Sequence, residues 1–269
     1  MNINKLKNIH KGQACYIFGD GPSLKFFDLS KFNNYIGISC GMQAFHKDFK
    51  SLNIKYYALI EPFLFYPDWM LILKRLHYIK NHRIITNQFR TIIKDRSDIT
   101  FIIHLSNIFS IIGSNICYAH KLLIKKSNNY SFTNENPFHG SFHATIFLAY
   151  FMGFSKIYLV GFDAWTRQPL LSERWYEKGK VRYRKINRFK IELFDELNSE
   201  IEIFNISIDG TACNINNILY EDYTNEKLNY KENVDIINPD YISLLAKRFN
   251  TIHATGRSNA EQVELQQAK

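Results

Sequence analysis

Short apolar runs bounded by polar turns recur along this chain, and stretches with apolar residues at helical spacing fall between them. Ala14–Phe18, Tyr35–Ser39, Ile54–Ile60, Arg83–Thr86, Ile99–Leu105, Lys156–Val160 and Glu202–Ser207 read as strands. Most are apolar at successive positions rather than at alternate ones, the mark of a strand buried on both faces. Trp69–Ile79, Ser141–Met152 and Lys190–Asn198 carry the helical pattern, and Leu71, Leu73, Leu76 and Ile79 form a core stripe. Strands alternating with helices predict an α/β fold: one mostly parallel sheet flanked by helices on both faces. Asn214–Asn217 reads as a loop, and no internal repeat is visible.

The rhythm breaks between Ala164 and Asn187. This stretch holds Trp165, Arg167, Arg174, Trp175, Tyr176, Arg182, Tyr183 and Arg184 and few aliphatics. Such a segment makes a poor core and a plausible lid. The expected organisation is one domain built from residues 1–163 and 188–255, a lid over 164–187, and a polar, Gln-rich, flexible tail over 256–269.

Composition narrows the function classes. The formal net charge of +9 favours anionic partners, and aromatic residues at 15% suit both a core and stacking on bases or sugars. No nucleic-acid motif and no long Lys/Arg run accompany the charge, so no nucleic-acid partner is expected. Cys15, Cys40, Cys117 and Cys213 are widely spaced, which points to reduced, buried thiols rather than a zinc cluster or disulfide framework. The N-terminus lacks an apolar leader core, and no apolar run approaches the roughly 18–20 residues of a spanning helix. A cytoplasmic location is expected, with membrane contact, if any, peripheral.

The most informative local string is Gly19-Asp20-Gly21-Pro22-Ser23-Leu24, which leaves a buried strand and opens towards a helix. Glycines allow a sharp turn and close ligand approach, Pro22 suits a first helical turn, and Ser23 offers a hydroxyl beside backbone donors. His139 and His143 stand four apart around the start of the Ser141 helix. They are candidates for a base, a phosphate donor or paired ligands; with no carboxylate between them, a metal site ranks below the other two roles. Asp163 ends a buried strand, where carboxylates either contact substrate or cap a turn. Arg167, Arg174, Arg182 and Arg184 can meet phosphate or carboxylate, and Trp165, Trp175 and Tyr176 can stack on sugar faces or pack the lid down.

Three segments together resemble the bacterial sialyltransferases of glycosyltransferase family 42. They are Ile17-Phe18-Gly19-Asp20-Gly21-Pro22-Ser23-Leu24-Lys25; Glu61-Pro62-Phe63 after the third strand; and Gly140-Ser141-Phe142-His143-Ala144, followed by Gly153-Phe154-Ser155-Lys156-Ile157-Tyr158-Leu159-Val160-Gly161-Phe162-Asp163. The resemblance spans roughly Ala14 to Trp165. It implies a Rossmann-like fold of the glycosyltransferase-A variant, with CMP bound across the strand ends and inverting, metal-independent transfer. By this likeness Gly19, Asp20, Gly21, Pro22, Ser23, Gln43, Glu61, Gly140, Ser141, Trp165 and Tyr176 bind the donor. His139, Arg167, Arg174 and Trp175 serve phosphate or acceptor. Asp20 and Glu61 stand where the family carries Asn, and no histidine lies between His143 and His253, where the family keeps its lid base. Candidate bases are therefore His139, His143, Asp163 and Glu61, with His143 or Asp163 preferred.

The expected partners are a CMP-activated ulosonic sugar (sialic, legionaminic or pseudaminic acid, or Kdo) and a glycan or glycolipid acceptor of the bacterial surface, in lipopolysaccharide or capsule. No cofactor or metal is expected, and self-association is compatible with the sequence. Two other classes stay open: an MptE-like pterin diphosphokinase using ATP and magnesium on Asp20, Glu61 and Asp163, and a basic anion-binding module without catalysis.

Overall fold

Along β1 (Ala14–Phe18), Cys15 and Ile17 point to one side, Tyr16 and Phe18 to the other, and all four are buried. A strand covered on both faces must sit inside a layered α/β sandwich. The computed structural model describes residues 2–66, 79–119, 124–126, 129–131, 140–162, 174–176, 201–209, 215–243 and 245, and the structural statements that follow concern these. In chain order they form β1, β2 (Ile36–Cys40), β3 (Ile54–Leu59), α1 (Ile79–Asp95), β4 (Thr100–His104), β5 (Ile116–Ala119), β6 (Ile124–Lys126), β7 (Asn129–Ser131), α2 (Ser141–Phe151), β8 (Lys156–Val160), β9 (Glu202–Ser207), β10 (Asn216–Leu219), α3 (Tyr220–Thr224) and α4 (Asn233–Ile236).

Eight strands make one sheet in the order β10-β9-β8-β1-β2-β3-β4-β5, every pair parallel, while β6 and β7 form a separate antiparallel ribbon. The expected parallel α/β sheet is therefore present. From β1 the chain winds outward through β2 to β5, and then returns to β8 on the other side of β1. The β1/β8 boundary is a topological switch point, where the connections leave towards opposite edges of the sheet.

The two faces carry different cores. One puts the aliphatic strand residues Ile17, Ile38, Ile102, Ile157 and Leu159 beneath α2, which is buried almost all round and adds Phe142, Phe147 and Phe151. The other is aromatic. Tyr16 pairs in register with Tyr158, and Tyr158 with Phe204, across β1, β8 and β9. Tyr35 stacks on Tyr158 at 5.7 Å between ring centroids, and the Tyr16 hydroxyl meets Tyr223 Oη at 2.7 Å and donates to Asn34. Between β2 and β3 the register slips by one residue at Gly37/Ile38. The slip lets Ile54 share a face with Tyr57 and Leu59.

Three expectations need correction. Arg83–Thr86 is not a strand: it lies within α1, because Ile85, Phe89, Ile92 and Ile93 recur at helical spacing and are buried together. The turn after β1 opens into a 3₁₀ turn at Pro22–Lys25 rather than an α-helix, and Ser23 is buried there. Of Asn214–Asn217, expected in a loop, Asn216 and Asn217 open the edge strand β10, which pairs with β9 through its backbone. Burial of Cys15, Cys40 and Cys117 agrees with free thiols, and it raises their thiol pKa values, Cys117 to about 11. Among the described residues no helix is long and apolar enough to cross a membrane. Apart from its Ile79 end, the Trp69–Ile79 helix lies outside the described residues, as do the Lys190–Asn198 helix, most of the lid segment, Cys213 and the tail.

Replacing Tyr16 by Phe keeps the ring and removes a buried hydroxyl with two partners, which costs about 1–3 kcal/mol. Urea titration of Tyr16→Phe is expected to show a lower midpoint with an unchanged slope.

Candidate functional site

A cavity of about 260 Å³ opens at the carboxyl ends of β1, β2, β3 and β8, where a doubly wound sheet places its ligand. Its floor is made by the strand exits. Gly19 N–H donates to Val160 O at 2.9 Å and Gly21 N–H to Gly161 O at 2.6 Å, so the first turn keeps pairing with the exit of β8. A Cβ on Gly19 would sit 2.7 Å from Gly161 O, and one on Gly161, at φ +77°, would sit 2.8 Å from Leu24. These glycines are required by the approach of two strand exits, before any ligand is considered. Ile85, Thr86 and Phe89 of α1 build an outer wall, and Leu64 and Phe162 add apolar surface.

Asp20 organises the next layer. Both its carboxylate oxygens lie 3.0 Å from the Met42 N–H, and Oδ1 also accepts the Trp175 indole N–H at 3.2 Å. Its backbone carbonyl accepts the Trp175 N–H at 3.1 Å. A Cβ on Gly41, at φ +66°, would fall 2.0 Å from Asp20 Oδ2, so only glycine lets the β2 exit come this close. Gln43, fully buried, donates from Nε2 to Gly19 O and braces the same turn from below. Asp20 is thus held by protein donors, which lessens the repulsion a bare carboxylate would offer a phosphate.

Trp175 is fully buried and meets His46 edge to face at 5.1 Å. Its neighbours Arg174 and Tyr176 line the cavity, and Arg174 Nη1 donates to the Tyr176 hydroxyl at 2.7 Å. His46 has its pKa lowered to about 3, chiefly by burial and then by the charges of Lys231 and Lys47. It is neutral at pH 7, and its Nδ1 accepts the Asp48 N–H at 3.2 Å. The 3.7 Å approach of Asp48 Oδ2 to that nitrogen is therefore not an ion pair.

The remaining contributor is the N-terminus of α2. Gly140, its N-cap at φ +97°, supplies no side-chain cap, and Ser141 and Phe142 line the cavity. The first turn of an eleven-residue helix therefore faces the pocket with backbone donors and the positive end of its dipole.

Of the residues singled out in the sequence, Gly19, Asp20, Gly21, Glu61, Ser141, Arg174 and Tyr176 come together around this one cavity. Pro22 and Ser23 are buried in the 3₁₀ turn beside it, and Gln43 and Trp175 support it from behind without lining it. His143 is on α2 but is 3% exposed and does not line the cavity. Its ring turns inward beside Phe142, at 5.5 Å between centroids, because three residues into a buried helix the side chain faces the core. His139, Asp163, Trp165 and Arg167 lie outside the described residues. Met42 and the α1 wall were not anticipated. The spacing of Ile85 and Phe89 carries the signal for the wall, masked by the adjacent Ile84-Ile85 pair within Arg83–Thr86.

The fold class is that of a doubly wound parallel α/β protein with a ligand crevice at its switch point. No family model and no curated protein sequence matches the chain. Solved structures similar to it include a MAf glycosyltransferase from Magnetospirillum magneticum AMB-1, at 14% identity and TM-score 0.47, over 94% of this chain. This chain spans 41% of the length of that protein. The sialyltransferase CstII from Campylobacter jejuni, in complex with a substrate analogue, cytidine-5'-monophosphate, is similar at 16% identity and TM-score 0.39, over 90% of this chain and 98% of that one. The same sialyltransferase with trisaccharide acceptor and CMP gives 16% identity and TM-score 0.42, over 89% and 99%.

Two outcomes are expected. Asp20→Ala removes the acceptor of a buried indole N–H and of a backbone N–H, and should lower unfolding free energy by about 1–3 kcal/mol. Asp20→Asn, which keeps one acceptor oxygen, should lose less in the same chemical-denaturation measurement. For His46, the unfolded ring binds a proton near pH 6.5 while the folded ring does not until about pH 3. Its contribution is thus complete above pH 6.5 and is lost as pH falls towards 3, about 2 kcal/mol by pH 5. Stability measured across that window should flatten in His46→Asn.

Proposed function

We propose that this chain is a glycosyltransferase that moves an ulosonic sugar from a CMP-activated donor to a glycan or glycolipid acceptor of the bacterial surface. The observation that carries this reading is convergence. The glycine-bracketed first turn, the exit of β3 at Glu61, the start of α2 at Ser141 and the exit of β8 at Gly161 are far apart in sequence and surround one cavity. They are the segments in which the sequence resembles family 42 sialyltransferases. Arg174 and Tyr176 complete a cluster suited to a departing phosphate.

In this reading the cytosine lies against the apolar wall of Ile85, Phe89 and Leu64, and the phosphate faces the first turn of α2 and the Arg174 guanidinium. The acceptor hydroxyl attacks the anomeric carbon as the bond from that carbon to the phosphate oxygen breaks. CMP leaves with the bonding pair, and the acceptor proton passes to a base. Negative charge grows on the phosphate oxygen, where backbone N–H groups and a guanidinium stabilise it. Because Arg174 donates to the Tyr176 oxygen, that phenol becomes a stronger donor and can turn its own proton to the same oxygen. Asp20 acts through Trp175, holding Arg174 and Tyr176 at the cavity.

For the base, His143 is buried away from the cavity, and Asp20 is engaged by N–H donors. Glu61, exposed at the cavity edge, is the described carboxylate open to an acceptor hydroxyl. The donor's requirement for a nucleotide pool and the positive net charge favour the cytoplasmic side of the membrane. The reading needs no metal or cofactor. The pterin diphosphokinase alternative would need Asp20 as a magnesium ligand, a poor fit to a carboxylate already receiving indole and backbone protons.

A donor screen tests the proposal. CMP should raise the melting temperature while UDP and GDP do not, and CMP-Neu5Ac, CMP-Kdo or a related donor should release CMP when an acceptor is present. Equal response to all nucleotides, or a response only to magnesium and ATP, would overturn it. Glu61→Gln should lower kcat about 10²-fold or more with CMP binding retained, and Arg174→Ala should weaken CMP binding.

A further inference from the structure

On the same edge of the sheet as the cavity, the turns after β3 and β4 push apolar side chains into solvent. Phe109 is 88% exposed, Ile112 85%, Phe63 43% and Ile108 36%. These are not loose ends. Asn107, fully buried, donates to Glu61 O and His104 O at 3.2 Å and accepts the Phe65 N–H at 2.8 Å. Ser106 Oγ accepts the Phe63 N–H at 2.8 Å, with Phe63 at φ +58°. Arg90 Nη1 donates to Ser110 O at 2.7 Å, and the Ser110 and Ile111 N–H groups return to Asn107 O at 2.9 and 3.1 Å. The backbone of the rim is fixed, so the exposure of Phe109 and Ile112 is built in rather than incidental.

The chemistry around Phe109 and Ile112 is one-sided. Residues 106–115 contain no charged side chain. The groove under Phe109 and Ile112 is lined by Arg90 and Lys94, by Ser97, Ser110, Ser114 and Asn115, and by no acidic residue. Protruding apolar tips above cations and hydroxyls, on a chain of net charge +9, complement a surface that is apolar inside and anionic outside.

We infer that the β3–β4 rim docks on an anionic phospholipid bilayer, with Phe109 and Ile112 entering the acyl boundary and Lys94 meeting headgroup phosphates. Phe63 and Glu61 are two residues apart and the cavity wall continues at Leu64, so docking brings the cavity mouth to the lipid surface. Only this last consequence rests on the transferase reading: it delivers the site to an acceptor carried on a lipid.

Vesicle co-sedimentation tests the inference. The full chain should sediment with phosphatidylcholine vesicles containing phosphatidylglycerol and much less with phosphatidylcholine alone. Phe109→Ser with Ile112→Ser should reduce binding at least about tenfold, while melting temperature and its shift with CMP stay as in the parent chain. Lys94→Glu should weaken binding to the anionic vesicles and reduce its salt dependence. Absence of wild-type binding to anionic vesicles, or full binding by the double variant, overturns the inference. So does a double variant whose only change is from oligomer to monomer, which would assign the rim to contact between copies. Loss of the CMP response with vesicle binding intact would remove the transferase reading and leave the docking surface standing.

Discussion

One carboxylate holds the candidate site together. Asp20 accepts hydrogen bonds from the β2 exit, through Met42, and from the Trp175 indole, while its carbonyl accepts the Trp175 backbone N–H. Three pieces of chain with no local reason to meet are joined at a single side chain. Hydrogen bonds to an ionised acceptor are about twice as strong as neutral ones, and here they are partly sheltered from water. Around this joint the pocket has its floor in the strand exits, its donor edge in α2 and its cation in Arg174.

The sheet supplies the frame on which that joint works. At the switch point between β1 and β8 the connections leave in opposite directions, and α2 lies over Ile17, Ile38 and Leu159 with its first turn at the cavity. The opposite, aromatic face, from Tyr35 through Tyr158 to Phe204, stiffens the same strands from below. A rigid base of this kind holds donors and charge in place without reorganisation when a ligand arrives.

Much of the fold was legible because buried parallel strands are written as continuous apolar runs. Ala14–Phe18, Lys156–Val160 and Glu202–Ser207 read directly from the chain with the bounds that the structure gives them. The failures have physical causes. Ile84 to Thr86 looks like a strand in isolation, and only the recurrence at Phe89, Ile92 and Ile93 turns it into a helix wall. The start of β10 was hidden because Asn216 and Asn217 read as a loop, while the edge strand is held by backbone pairing to β9. At the site, glycine spacing located the first turn, and the bracketing of Asp20 by two glycines marked a close approach. The role of Asp20 was not legible, because its partners lie 22 and 155 positions away. Burial of His143 was equally hidden: a histidine at a helix start reads as a site residue until the helix is known to be enclosed on every side.

The floor of the cavity is made of main chain. Where Gly19 and Gly161 press together, no side chain can be added without parting the strands, so this surface is fixed in shape whatever the sequence elsewhere becomes. Variation is left to the flanks, above all to the α1 face that presents Ile85, Thr86 and Phe89. A chain of this build can reshape the cavity by redecorating one helix, while the main-chain floor stays constant. The division separates what is recognised from how it is held.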